Sequence, residues 1–331
     1  MLQIKEPHLR VAITPYCNLS CIYCRPGGEG IAPNGNLITK DEIVSLSKIA
    51  CEVGFRHIKF TGGEPLIRKD VAEIIRDVKK HSNFFSRYMI TNGVYLNGKA
   101  KLLKDSGLDH IVISLDVANS ERFGIVNGGK IGDFYQVIKG IEDCTSNNLP
   151  ITINCVLMRK NLDQIDGLTQ IAANYNTKLK FIDLMEVKGG NDRFWKDQFV
   201  PFKEVEAILT PLSESIDLES PIGNLGATMK RYKLKNGATV IARDATMGAF
   251  YHESCNSCRF YPCQDAVYGA RITHDGKLKR CLIRDDNLVD VFSDLRDGRT
   301  DIVRAKMNDF FRIFVDSTYQ KEAWQPERIL K

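Results

Sequence analysis

The sequence predicts an α/β fold, a partial (β/α)6 TIM-like barrel with a C-terminal extension. Three observations carry that expectation. From residue 9 to about 186, short apolar runs alternate with stretches of helical periodicity. The glycine-rich and polar motifs of that region all fall where a strand run ends. After about residue 190 the alternation stops and a second group of cysteines appears. Strand–helix alternation with short connections implies a parallel sheet with right-handed crossovers. Six units are too few for a closed eight-stranded barrel, so an open one is expected. The chain divides accordingly into a barrel, residues 1–190, and a C-terminal region, residues 191–331.

The first strand is read over 9–14, and residues 15–38 form a loop rich in Gly and Pro. A helix follows, with Thr39 as N-cap and Glu42 three residues on, a capping box. Its apolar face is Ile43, Leu46, Ile49 and Val53. Strands are then expected at 57–61, 87–91, 110–114, 151–158 and 179–185. Helices are expected near 70–81, 98–106, 132–147 and 162–174. Beyond the barrel, 229–233 and 239–242 read as a hairpin. No internal repeat is seen beyond the β/α rhythm.

Composition bounds the function. The 331 residues are 43% apolar and 26% charged, as in a soluble globular protein with a sizeable core. A net charge of +5 is too mild to argue for nucleic acid and is compatible with an anionic substrate. No 18-residue apolar run predicts a membrane span. The start of the chain lacks an apolar signal core. Ten cysteines in that context point to a reducing, cytoplasmic location, with thiols used for metal. Cys51, Cys144 and Cys155 are scattered in apolar contexts and read as inert core residues.

The chemistry centres on Cys17, Cys21 and Cys24, a CxxxCxxC loop directly after the first strand. Iron–sulfur cubanes ordinarily take four thiolates, so three would leave one iron open to bind and reduce a ligand. Half of a structural zinc site is the plain alternative, but zinc wants four ligands and favours CxxC pairs. Thr61-Gly62-Gly63-Glu64-Pro65 ends the second strand run. Its glycines let backbone approach a ligand, and the carboxylate can accept from an ammonium. Asn92-Gly93 ends the third; Asn-Gly often marks a hairpin, but here a helix pattern follows. Ser114 and Asp116 end the fourth, where they suit ribose or carboxylate contacts, or Asp116 acts as a cap. Met185 ends the sixth and is otherwise an ordinary core residue.

These motifs resemble the radical S-adenosylmethionine (radical SAM) superfamily. The resemblance implies that the open iron chelates the amino and carboxylate groups of SAM. One electron passed to the sulfonium then releases methionine and a 5′-deoxyadenosyl radical. It also implies that Tyr23 packs on adenine, that the Gly62-Gly63-Glu64 stretch holds the methionine ammonium, and that the Met185 backbone reads adenine.

More narrowly, the chain resembles the GTP 3′,8-cyclase (MoaA) family of molybdenum-cofactor biosynthesis and its paralogues. The matching stretches are 9–14, the cysteine loop, 61–70, 113–116, 121–123, 181–185 and 275–282. The family implies a second 4Fe–4S cluster on the C-terminal cysteines, with an open iron that touches the purine. Here Cys255, Cys258, Cys263 and Cys281 offer four thiolates, with twenty-two residues between Cys258 and Cys281, more than the family has. Four ligands are expected, which leaves no vacant iron; structural zinc is the alternative.

Of the family's substrate cations, Arg10 and Arg271 remain, and Lys59 and Lys180 stand at arginine positions. Gly269, Ile90 and Thr152 replace an arginine, a threonine and a lysine. The chain ends Arg328-Ile-Leu-Lys331 without the family's Gly-Gly tail. These departures point to a small anionic, nucleotide-, nucleoside- or sugar-like substrate that is cyclised, decarboxylated or epimerised. The alternatives are the GTP cyclase itself, a peptide-modifying radical SAM enzyme and a non-catalytic zinc-binding interaction protein. The resemblance also implies a flavodoxin- or ferredoxin-type electron donor and leaves room for a homodimer.

Overall fold

The structure, a computed structural model, describes residues 5–24, 37–186, 192–219, 225–321 and 324. The last residues, 325–331, on which the expectation about a Gly-Gly tail falls, lie outside the described residues. Six parallel strands stand in chain order: β1 (His8–Ala12), β2 (His57–Thr61), β3 (Ser86–Thr91), β4 (His110–Ser114), β5 (Ile151–Leu157) and β6 (Lys178–Asp183). Between them run α1 (Lys40–Val53), α2 (Val71–His81), α3 (Ala100–Asp105), α4 (Ser120–Asn127), α5 (Ile131–Ser146) and α6 (Ile165–Asn174). Along the strands, alternate residues turn to opposite faces. Ile58, Phe60, Ile111 and Ile113 enter the apolar core, whereas Lys59, His110 and Val112 line a cavity.

The capping box at α1 forms as expected. Thr39 Oγ1 accepts from Glu42 N at 3.2 Å, and Glu42 Oε2 accepts from Thr39 N at 2.8 Å. Gly54 ends the helix at φ +134°, and a Cβ there would meet the Phe311 ring at 2.6 Å. Phe311 belongs to α7 (Thr300–Val315), which lies against α1. Phe314 of the same helix is fully buried and packs edge-on to Phe55. Truncating such a ring costs about 3–5 kcal/mol.

Some boundaries move. β6 stops two residues short of Met185, because its pairing with β5 ends at Asp183. A 3-10 turn, Arg159–Gln164, precedes α6, so that helix starts three residues later than its periodicity predicts. Helix α4 was not expected; its sequence has a weak apolar stripe and an internal glycine.

The later chain widens the same sheet at both edges. β8 (Met229–Leu234) runs antiparallel to both β7 (Ser213–Glu219) and β9 (Thr239–Arg243), and β9 pairs parallel to β6. The expected hairpin is β8–β9. On the other side β11 (Gly269–Ile272) pairs parallel to β1, followed by β12 (Lys277–Lys279) and β13 (Val289–Asp290). Among the described residues the result is one open twelve-stranded sheet whose outer strands are β13 and β7. A second, two-stranded sheet joins β10 (Ala249–Tyr251) to β14 (Thr318–Gln320). Among the described residues no helix is long and apolar enough to cross a membrane.

Candidate active site

The cysteine loop leaves β1 and is held on three sides. Gly63 N donates to Thr14 O at 2.8 Å, and Glu64 N to Tyr16 O at 2.7 Å, so the loops after β1 and β2 are stitched together. The approach is tight: a Cβ on Gly62 would sit 2.2 Å from Thr14 O, and one on Gly63 2.1 Å from Tyr16 O. Gly62 also holds φ +148°. Ser20 N and Ile22 N donate to Asn127 O and Val126 O at the end of α4. Tyr23 Oη donates to Asp116 Oδ2 at 2.8 Å, beyond β4.

All three are thiols rather than disulfides, and Cys17 and Cys21 receive amide N–H groups. Asn92 Nδ2 lies 3.7 Å from Cys17 Sγ and 2.8 Å from Asn18 Oδ1. Asn127 Nδ2 lies 3.5 Å from Cys21 Sγ. Burial first, and then Asp116, push the Cys21 thiol up to about 12, with Cys24 and Cys17 close enough to add to the effect. Three thiolates within electrostatic reach of one another and of a carboxylate repel until positive charge joins them. Soft sulfur donors with N–H groups aimed at them fit an iron–sulfur cluster. Among the described residues no three His, Cys, Asp or Glu side chains converge tightly enough for a single metal ion. Four thiolates on one zinc would sit only about 3.8 Å apart.

The strand-end residues divide into two kinds. Gly62, Gly63, Tyr23 and Met185 line a cavity of about 1450 Å³ at the barrel mouth, together with the three loop cysteines. Ser114 shares the face of β4 that carries the cavity-lining His110 and Val112. Glu64 and Asp116 are fully buried and tie elements together. Glu64 Oε1 accepts from Leu66 N and Thr91 Oγ1, and Oε2 from Asn92 N, all within 2.9 Å. Asp116 accepts from Tyr23, from Asn127 Nδ2 at 2.7 Å and from Val156 N at 2.8 Å. Burial pushes both carboxyls up, and these donors work against it. The backbone of Gly62 and Gly63, rather than the Glu64 side chain, is what this turn presents to the cavity.

Arg10, Lys59, Lys180 and Arg271 all line the same cavity. Sequence reasoning missed three of their neighbours, Arg243, Asp265 and Tyr268. Lys59 Nζ donates to Tyr268 Oη at 2.8 Å. Desolvation brings Lys59 down to about 8. Asp183 is pushed up to about 6 by burial, against the pull of Arg243. His110 is brought down to about 4 by burial and donates to or accepts from Thr152 Oγ1 at 2.9 Å, so its ring is neutral.

Of the C-terminal cysteines, Cys263 and Cys281 lie close to each other and to Asp265 of this wall. Cys258 N donates to Cys255 O at 2.9 Å, and Tyr251 Oη to Cys263 O at 2.6 Å. Arg284 hydrogen-bonds Cys258, and Cys281 lies near enough to Cys263 to help raise its thiol. Burial raises both thiols, then Asp265; Arg271 and Arg280 favour the Cys281 thiolate. Four partly buried thiols, with Arg284 on Cys258 and Arg271 and Arg280 near Cys281, suit a net-negative iron–sulfur cluster.

Comparison with known proteins agrees with this architecture. Residues 11–170 match the Radical SAM superfamily. A probable GTP 3′,8-cyclase of Pyrococcus abyssi is 34% identical over 307 residues, 92% of this chain and 93% of that protein. The GTP 3′,8-cyclase of Pelotomaculum thermopropionicum is 29% identical over 97% of this chain and 95% of its own length. Among solved structures, Streptococcus suis SuiB superposes with a TM-score of 0.60 at 16% identity over 88% of this chain, which spans 65% of SuiB. The anSMEcpe enzyme with bound AdoMet and a peptide gives 0.52 at 17% identity, over 84% of this chain and 75% of its own. At that identity the two structures speak for the fold alone. The chain belongs to the radical SAM superfamily and, within it, to the GTP 3′,8-cyclase family. It is an enzyme whose cofactors are SAM and 4Fe–4S clusters.

Proposed function

We propose that Cys17, Cys21 and Cys24 hold a 4Fe–4S cluster with one open iron, and that Gly62, Gly63, Tyr23, Asn92, Ser114 and Met185 form the SAM site around it. When bound, cluster and SAM supply a 5′-deoxyadenosyl radical. The substrate is a small nucleotide-, nucleoside- or sugar-like molecule in the adjoining cavity, oriented by Arg10, Lys59, Lys180 and Arg271. The observation that carries this reading is a shared space: the three thiols and the four cations line one cavity. A second cluster on Cys255, Cys258, Cys263 and Cys281 would sit beside Arg271 and the substrate. A flavodoxin- or ferredoxin-type donor would deliver the electron. Ten cysteines held as thiols rather than disulfides support a reducing, cytoplasmic setting.

Relatives named as GTP cyclases favour this class over a peptide-modifying enzyme, because the peptide-bound neighbour is only 17% identical. The test is anaerobic reconstitution followed by a screen of nucleotides and nucleosides for 5′-deoxyadenosine and for deuterium transferred into it. Turnover with a nucleoside-type compound is the expected result; turnover only with peptides would refute the reading.

A further inference from the structure

Helix α4 was not expected from the sequence, and its last residue shows what it does. Asn127 is 2% exposed and closes the helix, with Gly128 behind it at φ +67°. Its backbone carbonyl accepts from Ser20 N at 3.2 Å, which lays the cysteine loop against the helix end. Its side-chain amide carries two N–H groups. Nδ2 donates to Asp116 Oδ2 at 2.7 Å, and the same nitrogen lies 3.5 Å from Cys21 Sγ. The amide is fixed in this sense. Asp116 Oδ2 also accepts from Tyr23 Oη, and a flip would set an amide oxygen against that acceptor and against the sulfur. This orientation leaves Asn127 Oδ1 buried with no hydrogen-bond partner among the described residues. A buried acceptor left unpaired is a departure that stability does not explain. Asn92 differs: its Nδ2 lies 3.7 Å from Cys17 Sγ at an exposed position, and it donates to Asn18 Oδ1 at 2.8 Å.

We propose that Asn127 is a positioning residue that sets the reduction potential of the cluster on Cys17, Cys21 and Cys24, by donating an N–H to the Cys21 sulfur. The proposal rests on the reading of those three cysteines as ligands. Reducing a cluster adds negative charge that its sulfurs share. An N–H aimed at a sulfur stabilises that charge and so raises the potential. Burial keeps water from screening the amide dipole, which strengthens the effect. Asn127 thus makes the first cluster easier to reduce, and the unpaired Oδ1 follows from holding the N–H on the sulfur.

A redox titration of the anaerobically reconstituted protein, followed by electron paramagnetic resonance, tests this. The first cluster is identified as the one whose signal changes when SAM is added, and its midpoint is then read without SAM. Asn127→Leu removes the N–H at similar volume. Its first cluster is expected to be harder to reduce: at the wild-type midpoint the ratio of reduced to oxidised cluster falls about tenfold, a shift of about 59 mV for one electron. Tyr23→Phe is the control, because it takes a hydrogen bond from the same carboxylate and none from a sulfur. Its midpoint is expected to match the wild type. Asn127→Ala repeats the reading if the leucine variant does not fold. An unchanged midpoint, an equal shift in Tyr23→Phe, or loss of the first cluster from both Asn127 variants would overturn the proposal. A wild type with no SAM-responsive cluster would instead overturn the ligand reading on which it rests.

Discussion

The Tyr23 hydroxyl donates to Asp116 Oδ2 at 2.8 Å, which ties the cysteine loop to the chain just beyond β4. Asp116 also holds Asn127, and Asn127 reaches Cys21 Sγ. Loop, helix end and strand end thus share one buried carboxylate. Tyr23→Phe removes one hydrogen bond to that carboxylate. It is expected to cost about 1.5–3 kcal/mol, measured by chemical denaturation of the cluster-free protein. An unchanged midpoint and slope would show that the tie contributes nothing.

Gly62→Ala is expected to be far more damaging. Its Cβ would meet Thr14 O at 2.2 Å at a backbone angle that favours glycine. The strand-end turn must then part from the cysteine loop, at about 3 kcal/mol or more. Thermal unfolding and soluble yield check this; a variant as stable as the wild type would mean that the two loops separate freely.

Cys263→Ala tests the ligand count of the second cluster. With four ligands, the variant is expected to lose iron from that site or to change its spectrum, while the first cluster stays. Unchanged iron content and spectrum would show that Cys255, Cys258 and Cys281 suffice.

How far the sequence foretold this architecture depended on the range of the interactions. The six β/α units and the capping box at Thr39 were legible, because periodicity and capping are local. The position of β11 beside β1 was not: it is a four-residue strand pairing with a segment some 260 residues earlier. Helix α7 was readable in principle from Val303, Met307, Phe310 and Phe314 at helical spacing. Among site residues, the cysteines announced themselves by spacing. Glu64 and Asp116 were marked as cofactor residues, but sequence could not show that their oxygens meet protein donors. Tyr268 and Asp265 gave no signal, since their meaning depends on strands that bring Lys59 and Arg271 to them.

The Tyr268 phenol gives a pH prediction. It faces Lys59 on β2, Arg10 on β1 and Lys180 on β6, and it stacks on His8 at 5.1 Å. Its folded value of about 7 lies below the ordinary 10. The unfolded chain therefore binds more protons between those values, and stability rises with pH across that window. Lys59, lowered to about 8 from 10.5, acts in the same direction, because the folded state sheds its proton earlier. As pH falls through 7 the Tyr268 contribution is lost. The gain is at most about 1.4 kcal/mol per pH unit per group. The ultraviolet phenolate band should appear near pH 7 in the wild type and lose that component in Tyr268→Phe. A wild type with no phenolate below pH 9 would contradict the assignment.

The most direct test is reductive SAM cleavage by the anaerobically reconstituted protein beside its Cys21→Ala variant, with metal analysis of both. The wild type is expected to carry about eight irons per chain and to release 5′-deoxyadenosine; the variant should hold about half the iron and release none. A wild type that binds zinc at Cys17, Cys21 and Cys24, or a variant that still cleaves SAM, would contradict the account.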